Sequence, residues 1–255
     1  SAAPGASAKA SPDAALTVYA AASLTAALDR ITAAYTAVAP ATALTVATGS
    51  SAALETQIAQ GAPADVFLSA DTADPQKLVD QGLAAGAVTI FATNHLTIIV
   101  PAANPAGIQT PLDLVKPGLK IVAAGPSVPI TRYATEVIAN LARQPGYPAD
   151  FRARYEANVV SREDDVSAVV AKVGLGEGDA GIVYLTDART SKDVGTVAVP
   201  DAANVPATYG AVVVKASPHG TAAQAFLNWL TGPAGQAILA SFGFLPPSFG
   251  FLPPS

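Results

Sequence analysis

The chain has 255 residues, of which 51% are hydrophobic and 13% are charged, and its formal net charge is −5. This composition excludes an extensively disordered chain, which needs more charge, and disfavours a nucleic-acid binder, which needs a basic surface. The chain contains no cysteine, so disulfides, cysteine-ligated zinc, iron–sulfur clusters and a thiol nucleophile are excluded.

Two terminal segments differ from the rest in composition. Residues 1–13 are small, polar and interrupted by proline and glycine, and we expect them to form a flexible tether or the remnant of a processed leader. A disordered tail of an intracellular protein is the alternative. At the other end FGFLPPS occurs twice in tandem, at residues 242–248 and 249–255. A repeat this short is not a repeat architecture, and we assign it no function.

Between these segments, short apolar runs alternate with stretches of helical periodicity. We expect Asp71 or Asp74 to cap the third helix, and Asp164 or Asp165 to cap the fifth. The predicted strands are residues 16–23, 43–51, 64–71, 95–101, 120–127, 180–187, 196–200 and 209–215. The predicted helices are residues 24–39, 52–61, 74–82, 130–143, 165–173, 219–230 and 232–243.

This alternation predicts an α/β fold of mainly parallel sheets with helices on their outer faces. Several of the strands are almost continuously apolar, as expected for strands that are buried on both faces. Ligands of such sheets bind beyond the carboxyl ends of the strands, where this sequence has small and polar residues.

Four junctions share one design, in which a strand leads through small or polar residues directly into a helix. Each junction presents backbone N–H groups that lack an intrahelical acceptor, together with the positive end of a helix dipole. Because none of them depends on Lys or Arg, the set favours an anion held by neutral donors. The junctions lie at Ser23, residues 50–51, residues 128–130 and residues 164–166.

Five motifs in the same order resemble the periplasmic molybdate-binding proteins of ABC transporters, a family of extracellular solute-binding proteins. The resemblance runs from about residue 16 to residue 246. It implies that a tetrahedral oxyanion, molybdate or tungstate, is clamped between two lobes, with no cofactor and no catalysis. The motifs are AAASL at 20–24, SSAALETQIAQGAPADVFLSAD at 50–71, SVPITRYA at 127–134, EDDVSAVV at 163–170 and GIVYLTD at 181–187.

The resemblance also implies roles for individual residues. Ser23 and Ser51 would each donate a hydroxyl and a backbone N–H to the oxygens of the anion. Ile130 and Val166 would each donate a backbone N–H, and Tyr184 would donate its phenol hydroxyl. The metal atom would be reached only through its oxygens. For Tyr184 the alternative is a core tyrosine whose hydroxyl is satisfied within the protein.

Two features of residues 130–132 are not explained by the resemblance, namely the size of two side chains and the role of an arginine. Ile130 and Thr131 stand where the family often has smaller residues, which puts the size of the pocket in doubt. Arg132 follows directly, and two interpretations stay open for it. It lies at the rim of the cleft and strengthens anion capture, or it is a solvated helix arginine.

The implied fold is a type II-like two-lobe periplasmic-binding-protein fold, in which each lobe is a mainly parallel sheet flanked by helices. Residues 14–94 and 209–255 would form lobe I and residues 95–208 lobe II, with crossovers near 95–101 and 207–214. Hinge closure on the anion would present the closed form to the membrane permease of an ABC importer. The protein would be a monomer that binds no nucleic acid. It would be exported and either periplasmic or anchored to the outer face of the membrane as a lipoprotein.

Two other functions stay open. Neutral donors fit any tetrahedral oxyanion, so a sulfate- or phosphate-binding protein is the first alternative. The second is an enzyme that uses Ser23 or Ser51 as a nucleophile, although no motif places a base beside either. The glycine-rich stretch at 174–181 follows a helix and precedes a strand, which is the wrong order for a dinucleotide-binding loop.

Overall fold

The structure is a computed structural model that describes residues 14–247. The predicted tether at 1–13 and the second FGFLPPS copy lie outside the described residues. Among the helices of the described part, none is long and apolar enough to cross a membrane. The strands are β1 (Ala14–Ala21), β2 (Thr42–Gly49), β3 (Val66–Ser69), β4 (Thr89–Asn94), β5 (Leu96–Pro101), β6 (Ile121–Ala124), β7 (Val159–Glu163), β8 (Gly181–Tyr184), β9 (Val194–Ala198) and β10 (Ala207–Val213). The α-helices are α1 (Thr25–Val38), α2 (Ser51–Ala59), α3 (Ala73–Asp80), α4 (Pro129–Leu141), α5 (Phe151–Ala157), α6 (Val166–Gly174), α7 (Leu185–Thr190), α8 (Gly220–Thr231) and α9 (Pro233–Ser241).

The first sheet has the strand order β2-β1-β3-β10-β4. Strand β1 pairs in parallel with β2 and β3, whereas β10 pairs antiparallel with β3 and β4. Four strands therefore run in one direction, and only β10 among the described strands of this sheet runs against them.

The second sheet repeats this plan. Strand β5 pairs antiparallel with β8 and β9, and β6 pairs in parallel with β7. A parallel bridge between Ile121 and Ala180 joins the two parts, which gives the order β7-β6-β8-β5-β9. Strand β5 has here the place that β10 has in the first sheet. The predicted α/β class, with sheets flanked by helices, is confirmed.

The chain passes between the sheets twice. It leaves the first sheet after β4, which ends at Asn94, and enters the second at Leu96, where β5 begins. It returns between β9 and β10. The predicted lobe boundaries fall at or beside these passages, and the division into lobes stays a prediction.

The apolar pattern explains which elements are central. Strands β3 and β5 are buried at every position, as predicted for almost continuous apolar runs. Helix α4 buries one face, which includes Tyr133 and Val137. The spacing of its apolar residues is that of an amphipathic helix packed on a sheet.

Seven of the eight predicted strands end two or three residues earlier than the sequence predicted, and three of them illustrate the reason. Strand β1 ends at Ala21, and a 3-10 turn at Ala22–Leu24 follows it. Strand β2 ends at Gly49, and β8 ends at Tyr184 because α7 starts where residues 185–187 were predicted as strand. Strand β4 and helices α5 and α7 were not predicted, and β7 was expected only as the strand of the junction at 164–166. Polar residues interrupt both strands, and both helices are too short to show a helical period.

Residues 242–247, which belong to the first FGFLPPS copy, are part of the packed structure. Phe244 is buried, and its ring centroid lies 5.4 Å from that of Tyr209 in an edge-on arrangement. Leu245 pairs with Thr93 of β4 through two backbone hydrogen bonds of 2.9 Å. The segment therefore covers the edge of β4 that would otherwise present unpaired backbone groups.

The close approach of α9 to the end of α8 requires glycine at position 235. A β-carbon on Gly235 would lie 2.4 Å from the carbonyl oxygen of Leu230. Because backbone cannot move aside cheaply, we expect Gly235→Ala to lower the free energy of unfolding in urea by about 1–3 kcal/mol. The control is Gly220→Ala, whose β-carbon would have no neighbour within 4 Å. It should change that free energy by less than about 1 kcal/mol, and equal losses in the two variants would contradict the prediction.

Candidate functional site

One pocket is lined by all five residues that the family resemblance assigns to the site. The pocket lies at the carboxyl ends of strands from both sheets, as expected for ligand sites in α/β folds. Each of the five residues is at most 5% exposed. The lining consists of Ala21, Ala22, Ser23, Gly49, Ser50, Ser51, Ala70, Val128, Pro129, Ile130, Asp165, Val166 and Tyr184.

Three helices begin at this pocket, namely α2, α4 and α6. Their first N–H groups have no intrahelical acceptor, and their dipoles place partial positive charge there. Because Pro129 has no N–H, the first N–H group of α4 belongs to Ile130. At α6 the carboxylate of Asp165 accepts a hydrogen bond of 2.9 Å from the N–H of Ala168, as predicted for a cap. This hydrogen bond does not involve the N–H of Val166, which is the group that the resemblance assigns to the anion.

Ser51 is the first residue of α2, and its hydroxyl is held by the first sheet. The N–H of Ala70 donates to Ser51 Oγ at 3.0 Å. A hydroxyl has two lone pairs and one proton, so this bond leaves the proton of Ser51 free to be donated. Ser51 can therefore act as a donor toward the pocket without giving up its existing contact.

Ser23 is positioned by a tyrosine that the sequence reasoning missed. Ser23 Oγ lies 2.9 Å from the hydroxyl oxygen of Tyr209, which is 186 positions away in the chain. The amide Nδ2 of Asn94 lies 3.5 Å from the same hydroxyl oxygen and can only donate to it. Tyr209 can then donate to Ser23, which leaves the Ser23 proton for the pocket. No local pattern links these residues, because β10 and β4 bring them together only in the folded sheet.

Tyr184 reaches the pocket from the end of β8. Its hydroxyl donates a long hydrogen bond of 3.5 Å to the carbonyl oxygen of Ala70, which directly follows β3 of the first sheet. Burial raises the pKa of Tyr184 well above its usual value, so the phenol keeps its proton. Tyr184 is therefore a neutral donor at the contact between the sheets, and its single proton has to leave the carbonyl oxygen of Ala70 in order to reach an anion.

Arg132 is not part of the pocket lining. Its guanidinium makes an ion pair of 3.1 Å with the carboxylate of Asp71, which follows β3 of the first sheet. Helix α3 has Thr72 as its N-cap, so neither Asp71 nor Asp74 caps it as the sequence predicted. The carboxylate of Asp71 nevertheless accepts a hydrogen bond of 2.9 Å from the N–H of Asp74 in the first turn. Arg132 is thus paired within the protein and is not a fully solvated helix residue.

The negative charge of the carboxyl groups near the pocket is offset or suppressed in different ways. Asp165 accepts the N–H of Ala168. Asp187 is buried, with one oxygen that has no hydrogen-bond partner among the described residues. Burial raises the pKa of Asp187 well above its ordinary value, which favours the uncharged carboxyl and so reduces its repulsion of an anion. Within residues 14–247, no group of three or more His, Cys, Asp or Glu side chains could hold a metal ion.

The serine-enzyme alternative finds no catalytic base at these serines. The hydroxyls of Ser23 and Ser51 contact Tyr209 and the N–H of Ala70. His219 pairs instead with Asp65, at 3.3 Å, and neither of them lines the pocket. A serine nucleophile needs an adjacent base within hydrogen-bonding distance.

Known proteins resemble this chain over nearly its whole length. The family model described as bacterial extracellular solute-binding protein matches residues 16–245. The molybdate-binding protein ModA of Mycobacterium tuberculosis is 38% identical over 233 residues, which cover 91% of this chain and 85% of the relative. ModA of Haemophilus influenzae is 31% identical over 236 residues, covering 90% and 89% respectively. The solved structure of the periplasmic molybdate-binding protein of Azotobacter vinelandii has a TM-score of 0.77 at 25% identity, covering 91% of this chain and 99% of that one.

The neutral state of Asp187 predicts a pH dependence of stability. The unfolded chain releases this proton near the ordinary pKa of 3.8, while the folded protein retains it to higher pH. Because the folded state then binds more protons, stability falls as pH rises through this range. We expect wild type to lose up to about 1.4 kcal/mol per pH unit relative to Asp187→Asn above about pH 4. Urea unfolding of both proteins between pH 4 and 7 measures this, and a difference that stays constant with pH would contradict it.

Proposed function

The chain belongs to the bacterial extracellular solute-binding protein family, and on that premise we propose that it binds molybdate or tungstate and delivers the anion to an ABC importer. Proteins of this family are binding components of transporters, so the chain is not an enzyme. It has the two-lobe fold of periplasmic binding proteins. We propose that residues 14–94 and 209–255 form one lobe and residues 95–208 the other.

One observation carries this proposal: the five residues that the family resemblance selects line a single pocket and are themselves buried. Ser23 and Ser51 come from the side of the first sheet, and the other three residues come from the second. We propose that Ser23, Ser51 and Tyr184 donate hydroxyl hydrogens, and that Ile130 and Val166 donate backbone N–H groups. The M. tuberculosis and A. vinelandii proteins, whose names record molybdate binding, support this choice of anion.

The chemistry of the lining supports an oxyanion without protons. Its polar groups are donors, and the carboxylate of Asp165 is already engaged by the N–H of Ala168. A protonated phosphate would need an acceptor for its proton, and the one carboxylate of this lining, Asp165, already accepts the N–H of Ala168 through Oδ1. Molybdate and tungstate carry no proton at neutral pH and fit a set of donors. Sulfate shares this property and is the remaining alternative, to be decided by the size of the pocket.

Donors on both sides of the pocket imply a binding mechanism. An anion that contacts both lobes stabilises the closed state over an open one, because only the closed state offers all the donors. We propose that the closed protein docks on the membrane permease and releases the anion when the lobes separate. The chain would act as an exported monomer, either in the periplasm or anchored to the outer face of the membrane. No cofactor is required.

Titration calorimetry with molybdate, tungstate, sulfate and phosphate tests the proposed ligand. We expect one-to-one binding of the first two with a dissociation constant of about 1 μM or lower, since several charge-assisted hydrogen bonds outweigh the cost of association. We expect no binding of the other two. Binding of sulfate or phosphate alone would overturn the choice of anion and keep the donor site. Failure to bind any of the four anions would overturn the proposed function.

Single hydroxyl deletions test the assigned donors. Ser51→Ala and Tyr184→Phe each remove one hydrogen bond to a charged ligand, and we expect the molybdate affinity to fall by about 10- to 150-fold. Ser241→Ala and Tyr147→Phe lie outside the pocket lining and are the matched controls, which should bind as wild type. Wild-type affinity in Tyr184→Phe would remove that residue from the site.

A further inference from the structure

An ion pair links the two sheets beside the proposed anion pocket. Arg132 Nη2 lies 3.1 Å from Asp71 Oδ2. Asp71 follows β3 of the first sheet, whereas Arg132 belongs to α4, which starts at the end of β6 in the second. Neither residue lines the pocket. The contact therefore joins the two sheets outside the set of residues that line the proposed pocket.

Asp71 is fixed by its own side of the cleft. Its Oδ1 accepts hydrogen bonds from Ser69 Oγ at 3.0 Å and from the N–H of Asp74 at 2.9 Å. The side chain is buried, with 4% of its surface exposed. These bonds orient the second oxygen, Oδ2, toward Arg132. A buried carboxylate whose remaining oxygen is aimed across the cleft requires a cation from the other side.

Arg132 is held in a matching position on the other side. Its guanidinium carbon lies 5.1 Å from the centroid of the Tyr133 ring, a cation–π arrangement. The hydroxyl of Tyr133 in turn accepts a hydrogen bond of 3.2 Å from the N–H of Thr208 in β10. Half of the Arg132 side chain is exposed. The guanidinium can thus return to water when the cleft opens, while the cleft side of Asp71 becomes hydrated.

We propose that Asp71 and Arg132 form a closing ion pair that stabilises the closed conformation and positions the two halves of the anion site. This proposal rests on the proposed function, since it needs an anion to be enclosed. It differs from the capture role considered for Arg132, because Asp71 neutralises the guanidinium charge that would attract an anion. The pair acts through the population of the closed state, so its loss weakens the apparent affinity without removing a donor.

The two roles predict opposite effects of one substitution. Asp71→Asn removes a negative charge near the cleft and frees Arg132. If Arg132 captures the anion, molybdate should bind more tightly and associate faster. If the pair closes the cleft, we expect the affinity to fall by about 5- to 50-fold, less than for a fully buried pair because Arg132 is half-exposed. The change should lie in the dissociation rate, since closure follows encounter.

Stopped-flow kinetics and calorimetry with molybdate are run on wild type, Asp71→Asn, Arg132→Gln and the double variant. Arg132→Gln should show the same loss through faster dissociation, and the double variant should lose no more than the weaker-binding single variant. Arg132→Lys keeps the charge and should recover most of the affinity.

Arg132 is half-exposed, so its variants keep the test valid if Asp71→Asn fails to fold. Asp29→Asn and Arg30→Gln, both at exposed positions of α1, are the charge-matched controls.

The outcomes separate this proposal from the proposed function. Wild-type binding with unchanged affinity and dissociation rate in the Asp71 and Arg132 variants would overturn the closing pair alone. Tighter binding by Asp71→Asn would overturn it in favour of anion capture. A wild-type protein that binds none of the tested anions would overturn the function, and with it the closing role.

Discussion

The structure around the proposed site depends on one constraint, the stabilisation of a dehydrated anion without a cation in contact with it. A buried charge is costly unless it is met by hydrogen bonds. Here the available donors are the first N–H groups of α2, α4 and α6, together with hydroxyl groups at the same ends of the strands. Parallel strands that each lead into a helix place these groups at a common edge. The fold therefore supplies the backbone N–H donors whichever side chains occupy these positions, and the hydroxyl side chains add to them.

A layer of contacts behind the pocket decides which way the donors point. Ser51 is oriented by the N–H of Ala70, and Ser23 is oriented by Tyr209. Tyr209 is itself packed between Phe91 and Phe244, so the first FGFLPPS copy helps to fix a residue that contacts the site. An oriented hydroxyl needs no reorganisation when the anion enters, which reduces the cost of binding.

Negative groups are numerous near the pocket, and each is made compatible with an anion by a different means. Asp165 caps α6, burial raises the pKa of Asp187, and Asp71 is paired with Arg132. These arrangements leave the pocket itself without an uncompensated charge. They also explain how a chain with a net charge of −5 can bind an anion, because long-range repulsion is screened by salt while the hydrogen bonds are local.

Much of the fold and of the candidate site could be predicted from the sequence because the relevant signals are local. Apolar runs such as β5 indicated strands, and the serine and proline junctions indicated helix starts that face a ligand. The strand ends at Ala21 and Tyr184 were misjudged by a few residues, since the same small or apolar residues suit a strand and the first turn of a helix.

The sequence by itself determined the α/β class, the junctions and the residue types that can donate to an anion. Only the tertiary structure decided which distant residues support them. Tyr209 meets Ser23 across 186 positions, and Arg132 meets Asp71 through the contact of two sheets. The physical reason is that periodicity and capping act between neighbours in the chain, whereas such pairings arise from strand order and from the way the sheets face each other. No local pattern encodes either of these.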